Sequence, residues 1–373
     1  MAGIRRLLHL GNVVVDLVLR VPQWPQRGAD VLAESAAATP GGGFNVMAAA
    51  ARQGLPVAYA GAHGSGPFAD LARAGLAREG IEILQPPKAG LDTGVVVSVV
   101  DAGGERTFVT GPGAEARLTV GDLAAVRARP DDAVYLSGYG LAHASNRPAL
   151  LAWLARLDEP GIRGALADRP AGRGALPARP GAAPPGAGLA PGTSGAGPRS
   201  SGSGPGSPGP TPSSSGLGPV VFFDPGPLAD TIPAAALATV LRRADWLTCN
   251  GREAALLTGE DDPGAATRLL AARQAGRGVI VRTGPAGCLL AFAGHEPVPV
   301  AGFPVAAVDT NGAGDTHAGT FIAALAAGAG PAEAARTANA AAALSVTRPG
   351  PATAPAAAEL ARFLARQPRP APP

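Results

Sequence analysis

The feature that most restricts the fold is a recurring alternation, in which short apolar, β-branched runs are each followed by a stretch of helical composition. Residues 7–11, 57–61, 133–137, 220–224, 246–249 and 279–282 read as buried strands, with a shorter one at 81–84. Helices are expected over 44–52, 67–79, 119–127, 146–157, 234–243, 252–258 and 263–275. Such an order packs as an α/β fold, a mostly parallel central sheet flanked by helices on both faces. A hydrophobic content of 46% supplies the core that this requires.

Two sections stand outside the alternation. Residues 13–36 and 93–110 are extended, and valine-rich runs around Ala102-Gly103-Gly104 read as a hairpin, so these pieces are expected to form a small β lid. Between 169 and 218, half of the residues are Gly or Pro and none is aromatic. That composition cannot bury enough apolar surface to offset its ordering entropy, and the segment is expected to be a disordered insertion in a single-domain chain.

Charge and cysteine usage exclude several classes. The formal charge of +3 comes from four arginines in the 169–218 segment, which has no acid, and no basic aromatic-rich face offers itself to nucleic acid. No uninterrupted apolar run is long enough for a membrane span; Gly11, Asn12 and Asp16 break up the N-terminal run. Cys249 and Cys288 form neither a disulfide framework nor a zinc site, so a cytoplasmic location is expected.

The chemistry concentrates at Val308-Asp309-Thr310-Asn311-Gly312-Ala313-Gly314-Asp315, a loop feeding a helix expected over 312–327. Amides in a first helical turn lack intrahelical partners, and Gly312 and Gly314 let a ligand approach them closely. Such a terminus attracts anions. Asp315 could be an ordinary first-turn acid, but beside an anion hole a carboxylate is placed to take a proton from a hydroxyl attacking a phosphoryl group. A Walker A loop is excluded, because Lys88 is the only lysine and Ala follows it. Asp16, an acid in an apolar run, is costly unless it has a task. Asn250 and Glu253 at a helix start fit a capping box as well as a metal-ordering pair.

The segment from Asp309 to Thr316 resembles the C-terminal signature of the ribokinase, or PfkB carbohydrate kinase, family. Gly41-Gly42-Gly43-Phe44-Asn45 together with Gly61-Ala62-His63-Gly64, Gly66 and Phe68 resembles its N-terminal signature. The resemblance implies a ribokinase-like fold and ATP-dependent phosphorylation of a hydroxyl on a small sugar, with Mg²⁺ at the phosphates. It further implies Asp315 as catalytic base and Gly312, Ala313 and Gly314 as the anion hole. Asn12, Asp16, Gly42, Gly43 and Asn45 would hold the sugar, with Arg106 reaching in from the lid. Asn250 and Glu253 would order Mg²⁺ through water. Thr283, Gly284, Gly287 and Asn339 would lie on the nucleotide side. Asp309, with carbonyls near Val346 and Gly350, would form a monovalent-cation site for K⁺. A nucleoside acceptor, a catalytically silent sugar- or nucleotide-binding regulator, and a homodimer through the lid are also compatible with it. His317 is expected to be structural.

Overall fold

The computed structural model describes residues 3–103, 105–157, 218–274 and 278–368; the 169–218 segment lies outside them apart from Gly218. In the first half the strands are β1 (Arg6–His9), β2 (Val13–Arg20), β3 (Ser35–Gly42), β4 (Val57–Tyr59), β5 (Glu82–Ile83), β6 (Val95–Val100), β7 (Arg106–Gly111) and β8 (Asp132–Ser137). The second half adds β9 (Val220–Asp224), β10 (Trp246–Asn250), β11 (Gly278–Arg282), β12 (Gly287–Ala291) and β13 (Val298–Ala301).

These strands form a nine-stranded sheet in the order β13-β12-β11-β10-β9-β8-β1-β4-β5 and a four-stranded sheet in the order β3-β2-β6-β7. The large sheet is parallel from β11 to β5, while β12 and β13 add an antiparallel edge. That edge was not expected, because 284–291 is a glycine turn followed by too short a run to separate from a loop. Residues 303–308, although largely apolar, form no strand.

Alternate residues along each strand feed opposite faces. Leu8, Val134, Leu136, Val221 and Phe223 join Trp153, Leu154 and Leu270 on one side. Leu7, Tyr135, Phe222 and Trp246 meet Met47 and Phe321 on the other, where the Trp246 and Phe321 rings pack edge to face at 5.0 Å. At the amino ends of β1 and β8, Arg6 donates to Asp132 through Nε at 2.9 Å and Nη2 at 2.7 Å, a buried bidentate pair.

Helices Gly43–Arg52 and Ala313–Ala326 pack directly on each other. Gly319 makes this possible, since a Cβ there would run into the Val46 carbonyl. The four-stranded sheet uses 35–42 as a full strand, so the glycine run that opens the first helix is also the end of β3. The helix expected over 119–127 is a single turn, Val120–Leu123, closed by a Thr119–Asp122 capping box.

Candidate active site

In the large sheet the chain leaves β1 toward β4 and β5 and returns to β8 on the other side of β1. Ligands in open α/β sheets bind beyond the carboxyl ends of the strands at such a reversal. Asn12 lies just past β1 and Ser137 and Tyr139 at the end of β8, so both sides of the reversal carry polar groups. The row continues, with the last residues of β9, β10 and β11 being Asp224, Asn250 and Arg282. Ser137 registers with Asp224 and Asn250 with Arg282.

Over this row stands the amino end of helix Ala313–Ala326. Its cap, Gly312, has φ 73° and no side chain, so no side-chain cap takes the first-turn amides, and Ala313 N makes only a long 3.4 Å hydrogen bond to the Thr310 carbonyl. Asp315, half-buried in this turn, accepts a hydrogen bond of 3.1 Å from Asn45 Nδ2 on helix Gly43–Arg52. Desolvation raises its pKa from 3.8 to about 7, against the Asn45 hydrogen bond and with help from the negative charges of Asp224 and Asp16, while Arg282 opposes the rise. A carboxylate with that pKa is poised to accept a proton near neutrality.

Asp16, expected to bind the sugar, is buried, and burial lifts its pKa to about 6. Gly41, which pairs with Val14 and so lies diagonally across from Asp16 on β3, leaves room for the Asp16 carboxylate, which a Cβ would strike. Asn12 and Asn45 are buried nearby in the chain's fold, and the Asn12 carbonyl accepts from Gly43 N at 2.8 Å. Gly42 adopts φ 62° at the start of the helix. The bare Gly43 serves the protein itself, because a Cβ would collide with the His9 imidazole and come within 2.6 Å of the Asn12 carbonyl. His9 is buried and held neutral by desolvation, which brings its pKa down to about 3.

Asn250 and Glu253 form a reciprocal capping box, with both hydrogen bonds at 2.8 Å. Glu253 also faces Arg282 at 3.5 Å, and burial raises its pKa, with Asp224 adding to the rise. Two participants here escaped the sequence reading. Asp224 accepts from Arg282 Nη1 at 3.1 Å, and the same nitrogen donates to Thr248 Oγ1 at 2.7 Å. Burial works against the Arg282 charge, but Asp224 and Glu253 keep the guanidinium firmly protonated. A Cβ on Gly314 would sit 3.4 Å from the Arg282 guanidinium carbon, so this cation lies directly beside the anion hole. The only signal for it was an arginine closing an otherwise apolar strand.

Other expected site residues are engaged elsewhere. Asn339, which the resemblance put near an adenine, is buried; its Nδ2 donates to the Val300 and Ala301 carbonyls at 2.9 and 3.1 Å. Its Oδ1 lies 3.1 Å from His317 Nε2, so no donor is left for a base edge and the amide ties two helices to β13. His317 is buried and neutral, its pKa lowered to about 3 by desolvation. Thr283 N donates to the Gly287 carbonyl at 2.8 Å, closing the Gly284 turn; a Cβ on Gly287, at φ 101°, would hit the Val300 carbonyl. Arg106 does not hang free over the acceptor pocket but donates to Asp309 Oδ1 at 2.5 Å and to Thr310 Oγ1 at 3.3 Å. The Asp309 carboxylate, given above to K⁺, is therefore already paired with a cation.

A carboxylate with a raised pKa, a helix amino terminus without a side-chain cap and a partly buried guanidinium gather at the reversal of an α/β sheet, an arrangement that suits phosphoryl transfer to an alcohol. The chain belongs to the pfkB family of carbohydrate kinases, whose family model matches residues 5–161 and 219–358. It is 26% identical to the uncharacterised sugar kinase YegV of Escherichia coli, over 95% of this chain and 92% of that one. In structure it resembles the ribokinase of Thermotoga maritima, with a TM-score of 0.69, 23% identity and coverage of 96% and 99%. Against the aminoimidazole riboside kinase of Salmonella enterica the values are 0.66, 22%, 96% and 99%. These likenesses give the fold as ribokinase-like.

Proposed function

We propose that this chain transfers the γ-phosphoryl group of ATP to a hydroxyl of a small, uncharged sugar. The observation that carries this reading is Asp315, held by Asn45 at an uncapped helix terminus with its pKa near neutrality. Asp315 takes the acceptor proton, the 312–314 amides receive the charge that builds on the transferred group, and Arg282 supports that charge from behind Gly314. Asp16, whose carboxylate makes no hydrogen bond to the described residues, faces the acceptor and binds its hydroxyls. The acceptor is uncharged because the lid's Arg106 and Arg20 both face Asp309, and Arg27 is exposed.

Several relatives support ATP and Mg²⁺ as partners: an Arabidopsis thaliana ribokinase was solved with ribose and ATP, and a protein of Escherichia coli with ATP and Mg²⁺. Among the described residues no three His, Cys, Asp or Glu side chains form a metal cage. Asn250, Glu253 and Asp224 therefore fit an ion that keeps several waters and is held mainly by phosphate oxygens. Mg²⁺ bound there would neutralise phosphate charge. The four-stranded sheet acts as the lid, and its edge strand β7, with Phe108 and Val109 exposed, fits pairing with a second copy. No described helix is long and apolar enough to cross a membrane.

A nucleoside acceptor is the second reading, favoured by one observation. Tyr139 is half-buried in the short helix Gly138–Ala142 that follows β8, where its aromatic ring stands among the loops at the carboxyl ends of the strands and can stack on a nucleobase. The test is ATP consumption by wild type and Asp315→Asn across pentoses, hexoses, their phosphates and nucleosides with Mg²⁺. Acceptor-dependent turnover that collapses in the variant is expected. No turnover with any acceptor, while sugars still raise the melting temperature, would make the protein a binding regulator.

A further inference from the structure

Two arginines of the small sheet have a shared geometry that substrate binding does not explain. Arg20 ends β2 and Arg106 begins β7, and both register with Val100 on the intervening β6. Residues in register across neighbouring strands emerge on the same face, and both guanidiniums lead to one carboxylate, that of Asp309. Arg106 Nη2 is 2.5 Å from Oδ1, and Arg20 Nη2 is 4.0 Å from Oδ2. Arg106 adds a second contact, from Nη1 to Thr310 Oγ1, on the next residue of the same loop.

Asp309 in turn holds the backbone on both sides of the site. Its Oδ1 accepts from Asn311 N at 2.8 Å and its Oδ2 from Gly350 N at 3.1 Å. Asn311 directly precedes Gly312, the cap of the anion-hole helix, and a Cβ on Gly312 would collide with the Pro351 carbonyl, next to Gly350. The carboxylate is thus buried at the point where the anion-hole loop meets the 350–351 turn. Two backbone amides do not neutralise a buried carboxylate, and the balancing charge comes from the small sheet.

Given the kinase reading above, we infer that Arg106, supported by Arg20, is a positioning residue that acts through Asp309: seating of the small sheet fixes the 310–314 loop in its phosphate-accepting shape. Lifting the sheet takes both cations away from Asp309 and loosens Asn311 and Gly350 together. The anion hole is then complete only when the sheet that excludes water is in place, which restrains ATP hydrolysis in the open enzyme.

The test compares Arg106→Ala, Arg106→Lys, Asp309→Asn and the Arg106→Ala/Asp309→Asn double variant. In Arg106→Ala, kcat is expected to fall on the order of 10- to 100-fold, the scale of a displaced reacting group. The acceptor KM should stay within about twofold, since a positioning role leaves ground-state binding intact. Arg106→Lys should recover part of the loss, because it restores the charge but not the fork. If Arg106 acts through Asp309, the double variant is no worse than Asp309→Asn alone. Hydrogen exchange of the ligand-free proteins gives a readout independent of turnover, with the amides of Asn311 and Gly350 expected to exchange faster in Arg106→Ala along with those of β6 and β7. Wild-type turnover and melting temperature should be the same in KCl and choline chloride, while K⁺ should partly restore both in Arg106→Ala.

A rise in acceptor KM at constant kcat would overturn the inference in favour of direct substrate contact. Faster exchange confined to β6 and β7 would reduce Arg106 to a strut of the small sheet. If wild type turns over no acceptor, the kinase reading falls, and the exchange data still decide whether the two segments are coupled.

Discussion

The charge on Asp315 should make the empty enzyme less stable, and replacing it should show by how much. Its pKa is raised from 3.8 to about 7, and a shift of roughly three units at about 1.4 kcal/mol each sets a ceiling of ~4 kcal/mol. The side chain is half-buried at an open cleft, so solvent screening brings the expected penalty down to about 1–2 kcal/mol. Asp315→Asn removes the charge, keeps the shape and leaves an oxygen to accept from Asn45. The sign follows from linkage. A carboxyl whose pKa is higher folded than unfolded costs nothing when protonated in both states, and the full amount above its folded pKa. Urea denaturation at pH 8 should therefore find Asp315→Asn more stable than wild type by about 1–2 kcal/mol. By pH 4, close to the unfolded pKa, the gain should shrink to less than half, although turnover is abolished throughout. A variant that is less stable at pH 8, or equally stabilised at both pH values, would show that the raised pKa is not a cost carried by the fold.

Two further outcomes can be checked on the same preparations. The wild-type kcat/KM should rise close to tenfold per pH unit from 5 toward 7 and level off above, as Asp315 loses its proton; a profile flat across that range would remove Asp315 as the base. Gly312→Ala should lower stability by about 1–3 kcal/mol, the cost of a left-handed alanine, and impair turnover more, because the Pro351 carbonyl occupies the space a Cβ needs; unchanged melting and turnover would mean that the loop relaxes freely.

The fold was legible where local pattern decides it. Six buried strands and most of the helices between them follow from runs of β-branched residues and helical composition, and the loop-to-helix junction at 308–315 from Gly312 and Gly314. What stayed hidden depends on partners far along the chain. Arg106 looks like an exposed hairpin arginine until Asp309, 203 positions later, is beside it. Asn339 among alanines looks solvated, and only the placement of β13 and His317 shows that its amide is fully used. Asp224 and Arg282 each end an apolar strand, where a charge reads as marking the surface; the parallel register brings them together. β12 and β13 were missed because the glycine turn at 284–287 hides the start of a short strand, and only the pairing with β13 shows that Gly287 is also required there.

The packing of helix Gly43–Arg52 has a consequence for how the protein is made. Its Asn45 meets Asp315 across 270 positions, and its Arg52 donates to the carbonyls of Ala352 and Ala354 at 2.9 and 2.8 Å. Chains emerge from the ribosome amino end first, so this helix waits, with Met47 and Phe44 unburied, for partners some 270 to 300 positions later. Contacts so distant in sequence also slow folding. The nascent chain therefore cannot pair Asn45 with Asp315 until residue 315 has been made, and during that interval the apolar face of this helix needs shelter.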